Sequence, residues 1–434
     1  LAQQDRDQGE CSGDAQGEAT PLPARRVLRV AMWTPLPPAA SGIADYSAEL
    51  LPALSAHADL TLYTNPDADA SAFAHLPVAM RSYYDYAGDQ HRGSLPAPDV
   101  HLYHMGNNAR FHEEIYHHLR RTPGVVVLHD LALFGFHLYG LYHRGRRREF
   151  WDEVAYQHGA AGGQNVAKYI NGELSTWLDL PMNRRVVEAS LATIVHTPFG
   201  QRYLQERYPG AAVHYVMPGA QLFDELSNAA VRSALGWSDD PFVVGVFGEI
   251  NVHKRVHVML DALTAVRAAL PTLRVVIVGR EAEHPAYPSK IRATIRQRKL
   301  TEVVTYAADV PLVDLERYIR AVDVVVNLRW PTSGEISGIL PRALAAGKPV
   351  ICSDVASNRD LPEAFCWRIP VGEGEVEALT ARLIAAAQNR KSTRRAGDEA
   401  RRYMAAHGAW PIVAKRYAAT LAAVMDGSHH HAAE

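Results

Sequence analysis

The feature that most constrains this chain is an alternation, sustained from Val27 to beyond Pro349, of short β-branched runs with longer amphipathic stretches. That pattern belongs to βαβ units wound around parallel sheets, so the fold class is α/β. Residues 27–33, 59–63, 100–104, 124–129, 193–197 and 212–217 read as strands of one sheet, the middle ones apolar on both faces as buried parallel strands are. Pro218-Gly219 then marks a break, and residues 242–247, 274–278, 303–307, 324–328 and 349–353 repeat the pattern with helical stretches at 255–269 and 312–321 between them. Two similar units therefore stand in tandem, a first at 27–220 and a second at 221–400. A length of 434 residues suits two folding units of about 100–200 residues each.

The ends read differently. Residues 1–26 are rich in Gln, Asp, Gly and Ala and offer neither the charged start nor the apolar middle of a secretory signal, so they are expected to be a disordered leader. The Ala/Arg-rich stretch at 401–425 reads as a helix free to cross back to the first unit, and 426–434, with its three histidines, as a solvated tail.

Charge narrows the function classes. Lys plus Arg is 45 against 47 for Asp plus Glu, so no global basic field exists to hold nucleic acid. Cys11, Cys352 and Cys366 are too few and too scattered for a disulfide framework or a zinc site, which suits a reducing, cytoplasmic setting. No apolar run reaches the roughly 18–20 residues that cross a bilayer. The cluster Arg144-Gly145-Arg146-Arg147-Arg148 leaves open a peripheral contact at the inner membrane face, its alternative being a solvated surface.

In an open parallel sheet, ligands gather outside the carboxyl ends of the strands. After the first strand, Ser41-Gly42-Ile43 leads into a helix expected to begin near Ala44; a glycine there lets backbone N–H groups approach an anion, the alternative being a simple turn. No G-x-G-x-x-G follows either unit's first strand, so this is not a dinucleotide fingerprint. The strand at 124–129 ends on His129-Asp130, where an imidazole can donate to a hydroxyl in the crevice or serve as a satisfied structural histidine. His104 and His196 end two more strands of the same unit. In the second unit, Gly248 opens a loop that carries Lys254-Arg255, two cations able to neutralise a diphosphate, or else to decorate a solvated turn. The most informative segment is 331–350, Pro-Thr-Ser-Gly-Glu-Ile-Ser-Gly-Ile-Leu-Pro-Arg-Ala-Leu-Ala-Ala-Gly-Lys-Pro-Val. It turns through Gly334 and Gly338, enters a short helix with Pro341 in its first turn, and stops at Gly347. Glu335 in the preceding loop can accept hydrogen bonds from hydroxyls or cap the helix.

Taken together, Pro-Leu-Pro-Pro-Ala-Ala-Ser-Gly-Ile-Ala-Asp-Tyr-Ser at 35–47, His129-Asp130, Lys254-Arg255 and the Gly334 to Gly347 segment resemble the retaining glycosyltransferases of family four. The resemblance runs from Val27 to about Tyr417. It implies the GT-B fold, two Rossmann-like domains whose parallel sheets face an interdomain crevice, with the acceptor bound mainly by the first and the donor by the second. It also implies transfer of a hexose from a nucleoside-diphosphate sugar to an acceptor hydroxyl with retention, and no obligatory metal. On this resemblance His129, Lys254 and Glu335 are the catalytic set, with His129 at the donor sugar, Lys254 on the diphosphate and Glu335 on sugar hydroxyls. Gly42, Gly248, Arg255, Ser337, Gly338, Ile339 and Arg342 are the donor-binding set.

Two departures stand out. Where the family often has a second glutamate that binds ribose, this chain has Arg342, and where it has a phosphate-binding arginine five residues before Lys254, this chain has Glu249, with Arg255 as the candidate substitute. The acceptor is expected to be a glycan, a lipid-linked sugar or a small metabolite. The alternatives are a catalytically silent sugar-nucleotide-binding subunit and a GT-B sugar-nucleotide epimerase. The crevice loops at 83–95 and 134–163 are of the variable kind and carry no code for the acceptor.

Overall fold

The structure is a computed structural model that describes residues 27–173, 176–223, 228–238, 241–282 and 285–431. The expected leader at 1–26 lies outside the described residues, as does Cys11.

Two parallel sheets form, as the alternation requires. The first holds β1 (Leu28–Trp33), β2 (Ala58–Thr64), β3 (Val78–Ser82), β4 (Val100–Met105), β5 (Val125–Leu128), β6 (Ala192–Val195) and β7 (Val213–Tyr215) in the order β3-β2-β1-β4-β5-β6-β7. The second holds β8 (Val243–Phe247), β9 (Arg274–Gly279), β10 (Val304–Ala308), β11 (Val324–Asn327), β12 (Val350–Ser353) and β13 (Cys366–Ile369) in the order β10-β9-β8-β11-β12-β13. The central strands β4, β5, β6, β8, β11 and β12 are buried along their whole length. All but β4, which carries the buried His101 and His104, are made mostly of apolar residues, because helices cover both faces of the sheet and leave no solvent face for polar ones.

Two strands have no counterpart in the sequence reading, β3 and β13. Both are outermost strands of their sheets. β3 is half-buried at every position, and so short a strand need not be an apolar run. β13 brings Cys366 beside β12, and the Cys352 and Cys366 sulfurs lie 3.1 Å apart as buried free thiols. Cysteines that look scattered along the chain are thus adjacent in space.

The chain's end corrects the expected boundaries. Helix Arg390–His407 stays with the second unit, where Ala396, Ala400 and Met404 join its core. The crossing helix begins only at Trp410 and runs to His431, so six residues assigned to a tail are helical. Trp410, Val413, Ala414, Tyr417 and Leu421 pack with Leu50, Leu51 and Leu54 of helix Gly42–Leu54 and with β1. Large apolar side chains at such positions contribute about 1.5–3 kcal/mol each, enough to hold the helix on the first unit. The crossing is tight: Ala220 donates to the Gly408 carbonyl at 3.0 Å, and a Cβ on Gly219 would lie 2.2 Å from the Trp410 indole.

Strand order reverses twice, between β1 and β4 in the first sheet and between β8 and β11 in the second. A doubly wound sheet opens its crevice at such a point. No described helix is long and apolar enough to cross a membrane.

Candidate active site

Lys254 is set by the loop after β8. Gly248 there has φ +103°, a conformation that favours glycine, and a Cβ on Gly279 would lie 1.8 Å from the Gly248 carbonyl oxygen, so the β8 and β9 ends cross backbone to backbone. A Cβ on Gly248 would meet Ile339 at 3.3 Å, which places this loop against the start of helix Ile339–Ala345. Asn251 accepts from the Lys254 N–H at 3.2 Å and fixes the turn. Among the described residues the Lys254 ammonium has no hydrogen bond and no ion pair. Burial, and then the neighbouring Arg329 charge, push its pKa down to about 7 against the pull of Glu335, Glu249 and Asp130. A cation held this way is short of an anion.

Arg255 does not share that task. It sits at φ +52°, and its guanidinium forks onto the buried carboxylate of Glu375, with Nε 2.7 Å from Oε1. The expectation that it substitutes for the missing phosphate arginine does not fit this geometry. The second cation at the β8/β11 crevice is instead Arg329, which sequence reasoning missed although it stands two residues past the end of β11. It is buried and pairs with Glu335.

Glu335 is fully engaged. Its Oε1 takes Arg329, and its Oε2 accepts from the Thr332 hydroxyl at 3.0 Å, the Ser333 N–H at 2.7 Å and the Ser333 hydroxyl at 2.6 Å. Burial raises its pKa, but Arg329, the Ser333 hydroxyl and Lys254 outweigh that and hold it at about 2. It is a carboxylate at all working pH values. Its acceptor capacity is spent on its own loop, so the expected role of holding sugar hydroxyls requires it to exchange one of these partners.

His129 also differs from expectation. Its Nε2 lies 3.0 Å from His104 Nδ1 and its Nδ1 lies 3.2 Å from His196 Nε2, so both ring nitrogens are already paired. Neither is left to donate to a bound hydroxyl. Beside it, Asp130 accepts from the Asn107 N–H at 2.8 Å and, 3.2 Å from the Ser333 hydroxyl, shares that group's single proton with Glu335. Burial, then the Glu335 charge, raise the Asp130 pKa to about 6. Ser333 thus bridges a carboxylate of each unit.

The two units touch through this same loop. Ala132 N–H donates to the Ser333 carbonyl at 3.0 Å, and the Trp177 N–H and Thr176 hydroxyl donate to the Thr332 carbonyl at 3.2 and 3.1 Å. Gly334, at φ +77°, leaves room for Leu131 and Leu178, the first of which a Cβ would meet at 2.7 Å.

Of the remaining expected donor contacts, the glycines are open and the side chains are not. A Cβ on Gly42 or Gly338 would meet nothing within 4 Å, and both stand at helix starts. Helix Gly42–Leu54 begins two residues earlier than expected, capped by the Ser41 hydroxyl. Ser337 is buried; its hydroxyl accepts from Asn327 at 3.1 Å and its carbonyl from the Leu340 N–H at 3.0 Å. Arg342 is spent on two carboxylates, Glu316 at 2.7 Å and Glu49 of the first unit, which removes it from the donor-binding set. Among the described residues no group of three or more His, Cys, Asp or Glu is arranged to hold a metal ion.

Comparison with known proteins sets this geometry in a family context. Residues 227–403 match the family model described as Glycosyl transferases group 1. The chain is 31% identical over 185 residues to the D-inositol 3-phosphate glycosyltransferase of Jonesia denitrificans, 39% of this chain and 42% of that protein. It is 27% identical over 233 residues to the protein of the same name from Segniliparus rotundus, 50% and 51% of the two lengths. It thus spans about half the length of the curated relatives it matches, or less. Among solved structures it resembles Anabaena HepE in complex with UDP and glucose, with a TM-score of 0.63 at 15% identity over 91% of this chain and 100% of that one. It also resembles the sucrose-phosphate synthase of Thermosynechococcus elongatus, with a TM-score of 0.64 at 16% identity over 92% and 100%. The fold is GT-B, and residues 227–403, within the second unit and the helix Arg390–His407 that stays with it, are similar to the group 1 glycosyl transferases.

Proposed function

We propose that this protein is a retaining glycosyltransferase that moves a hexose from a nucleoside-diphosphate sugar to an acceptor hydroxyl. The observation that carries the reading is Lys254: a cation at the strand-order reversal of the second sheet, desolvated, crowded by Arg329 and without an ion-pair partner among the described residues. A diphosphate supplies the missing charge. The solved neighbours that hold UDP and UDP-glucose support a nucleotide-sugar donor, and the names of the curated relatives keep small polyols among the acceptors alongside glycans and lipid-linked sugars. The proposed setting is cytoplasmic, with the exposed Arg147 and Arg148 offered to the inner membrane face, while Arg144 and Arg146 of the same cluster pair with Glu113 and Glu149.

In the reaction the bond between the anomeric carbon and the diphosphate oxygen breaks, and negative charge grows on the leaving group. Lys254 stabilises that charge, and the open backbone at Gly42 and Gly338 lets phosphate oxygens approach without a side chain in the way. The acceptor oxygen bonds to the same face of the sugar, and its proton passes to the departing phosphate. No metal is required by this scheme.

The test is a thermal-shift and transfer screen against UDP-, GDP-, ADP- and dTDP-sugars. A donor at a hundred times its dissociation constant adds about 2.7 kcal/mol of stability, which a melt detects. Lys254→Met is expected to abolish the shift and to cut turnover on the order of a hundredfold, the usual cost of losing one contact to a developing charge. A Lys254→Met protein that binds and transfers like the parent refutes the reading, and donor binding without turnover moves it to a silent sugar-nucleotide-binding subunit.

A further inference from the structure

The three histidines that end β4, β5 and β6 form a continuous chain whose direction can be worked out from its last link. His196 Nδ1 lies 3.0 Å from the Val216 carbonyl oxygen. A carbonyl only accepts, so His196 carries its proton on Nδ1, and in the neutral ring Nε2 is then a bare acceptor. His129 Nδ1, 3.2 Å away, must be the donor to it. That leaves His129 Nε2 as an acceptor, filled by the N–H of His104 Nδ1 at 3.0 Å. Neutral rings permit no other order, and burial favours neutral rings: His104 is held down to about 3 by burial and His196, and His196 to about 4 by burial.

The chain is braced from outside. Tyr46 packs edge-on to His129 with ring centroids 5.1 Å apart and lies 5.3 Å from His196. Its hydroxyl meets that of Tyr417 at 2.9 Å, and Tyr417 stacks over His104. Tyr417 belongs to the helix Trp410–His431, so the segment that crosses back to the first unit also closes the rear of the chain.

We propose that His196 and His104 are positioning residues for glycosyl transfer: their one-way hydrogen bonds fix the tautomer and the orientation of His129 at the crevice. The catalytic half of this proposal rests on the glycosyltransferase reading. In the scheme proposed above the acceptor's proton does not pass to His129, both of whose ring nitrogens are engaged. Deleting the acceptor for His129 Nδ1–H frees the ring to rotate and the strand end to shift. A displacement of about 1 Å at a reacting centre costs on the order of a hundredfold in rate.

Two measurements test it. In the full-length protein labelled with ¹⁵N-histidine, two-bond ¹⁵N–¹H spectra should show His129 protonated on Nδ1 and bare on Nε2; the opposite tautomer overturns the proposal whatever the enzyme does. In kinetics, His196→Phe should lower kcat by about tenfold to a hundredfold with donor KM little changed. His196→Gln, whose amide can still donate to Val216 and accept from His129, should recover most of the loss. Unchanged kcat in His196→Phe, or equal loss in both variants, overturns the positioning role. Absence of transfer by the parent protein with any donor overturns the glycosyltransferase reading and the catalytic half with it, while the spectra still decide the hydrogen-bond order.

Discussion

Lowering the pH from 7.5 to 5.5 should cost this fold most of its stability, because several of its histidines are buried neutral. His101, His104, His112, His137 and His196 have less than a tenth of their surface exposed, and burial pushes them to about 4, 3, 4, 3 and 4. In the unfolded chain each titrates near 6.5. Between that value and the folded one the unfolded state binds more protons, so stability is intact above about pH 6.5 and falls as pH falls. At pH 5.5 each group costs about 1.4 kcal/mol and the five together about 7, against the 5–15 kcal/mol typical of a whole domain. His129 acts in the same direction. Asp130, raised to about 6 by burial and Glu335, acts oppositely: the folded state takes up its proton first, which returns less than about 1 kcal/mol at this pH. Asp45 and Glu49, also raised by burial, oppose the loss in the same sense. Urea unfolding followed by tryptophan fluorescence at half-unit pH steps reads the slope directly. Stability that changes by less than about 1 kcal/mol between pH 7.5 and 5.5 would mean that the buried rings are protonated or hydrated in the native state, and the neutral-chain argument would fall with them.

Further predictions concern glycines and the interdomain ion cluster. Gly338 has φ −60° and ψ −19°, and a Cβ there meets nothing, so Gly338→Ala should raise stability by about 0.4–1 kcal/mol while weakening donor binding. An unchanged donor Kd by calorimetry would show that no ligand approaches this backbone. Arg342 is the shared partner of Glu49 and Glu316, and Glu49 Oε2 is already buried without a hydrogen bond. Arg342→Met should therefore cost about 3 kcal/mol in urea unfolding, with partial recovery on adding Glu49→Gln; equal stability of parent and Arg342→Met would show the cluster to be solvated.

How much of this was legible in the sequence depends on the range of the interaction. The Val125–Leu128 run announces a buried parallel strand because both of its faces demand apolar side chains, and the cation of Lys254 announces itself by standing just past a strand end. The placement of His104, His129 and His196 at three strand ends is legible for the same local reason. Their hydrogen-bond order is not, since it is dictated by the Val216 carbonyl, 20 residues from His196. Arg255 and Arg342 fail in the same way: in sequence the first looks like a free cation for a phosphate and the second like a free side chain at the ribose position, and their partners Glu375 and Glu49 lie 120 and 293 residues away. A sequence shows which polar groups are available at a site but not which of them the fold has already engaged. Burial then supplies the sorting rule, because a desolvated charge is tolerated only with a partner. Arg329, Arg342, Arg255 and Glu335 have theirs within the chain. Lys254 is the crevice cation for which the described residues provide none, and the partner it lacks is the most direct indication of what this crevice is built to bind.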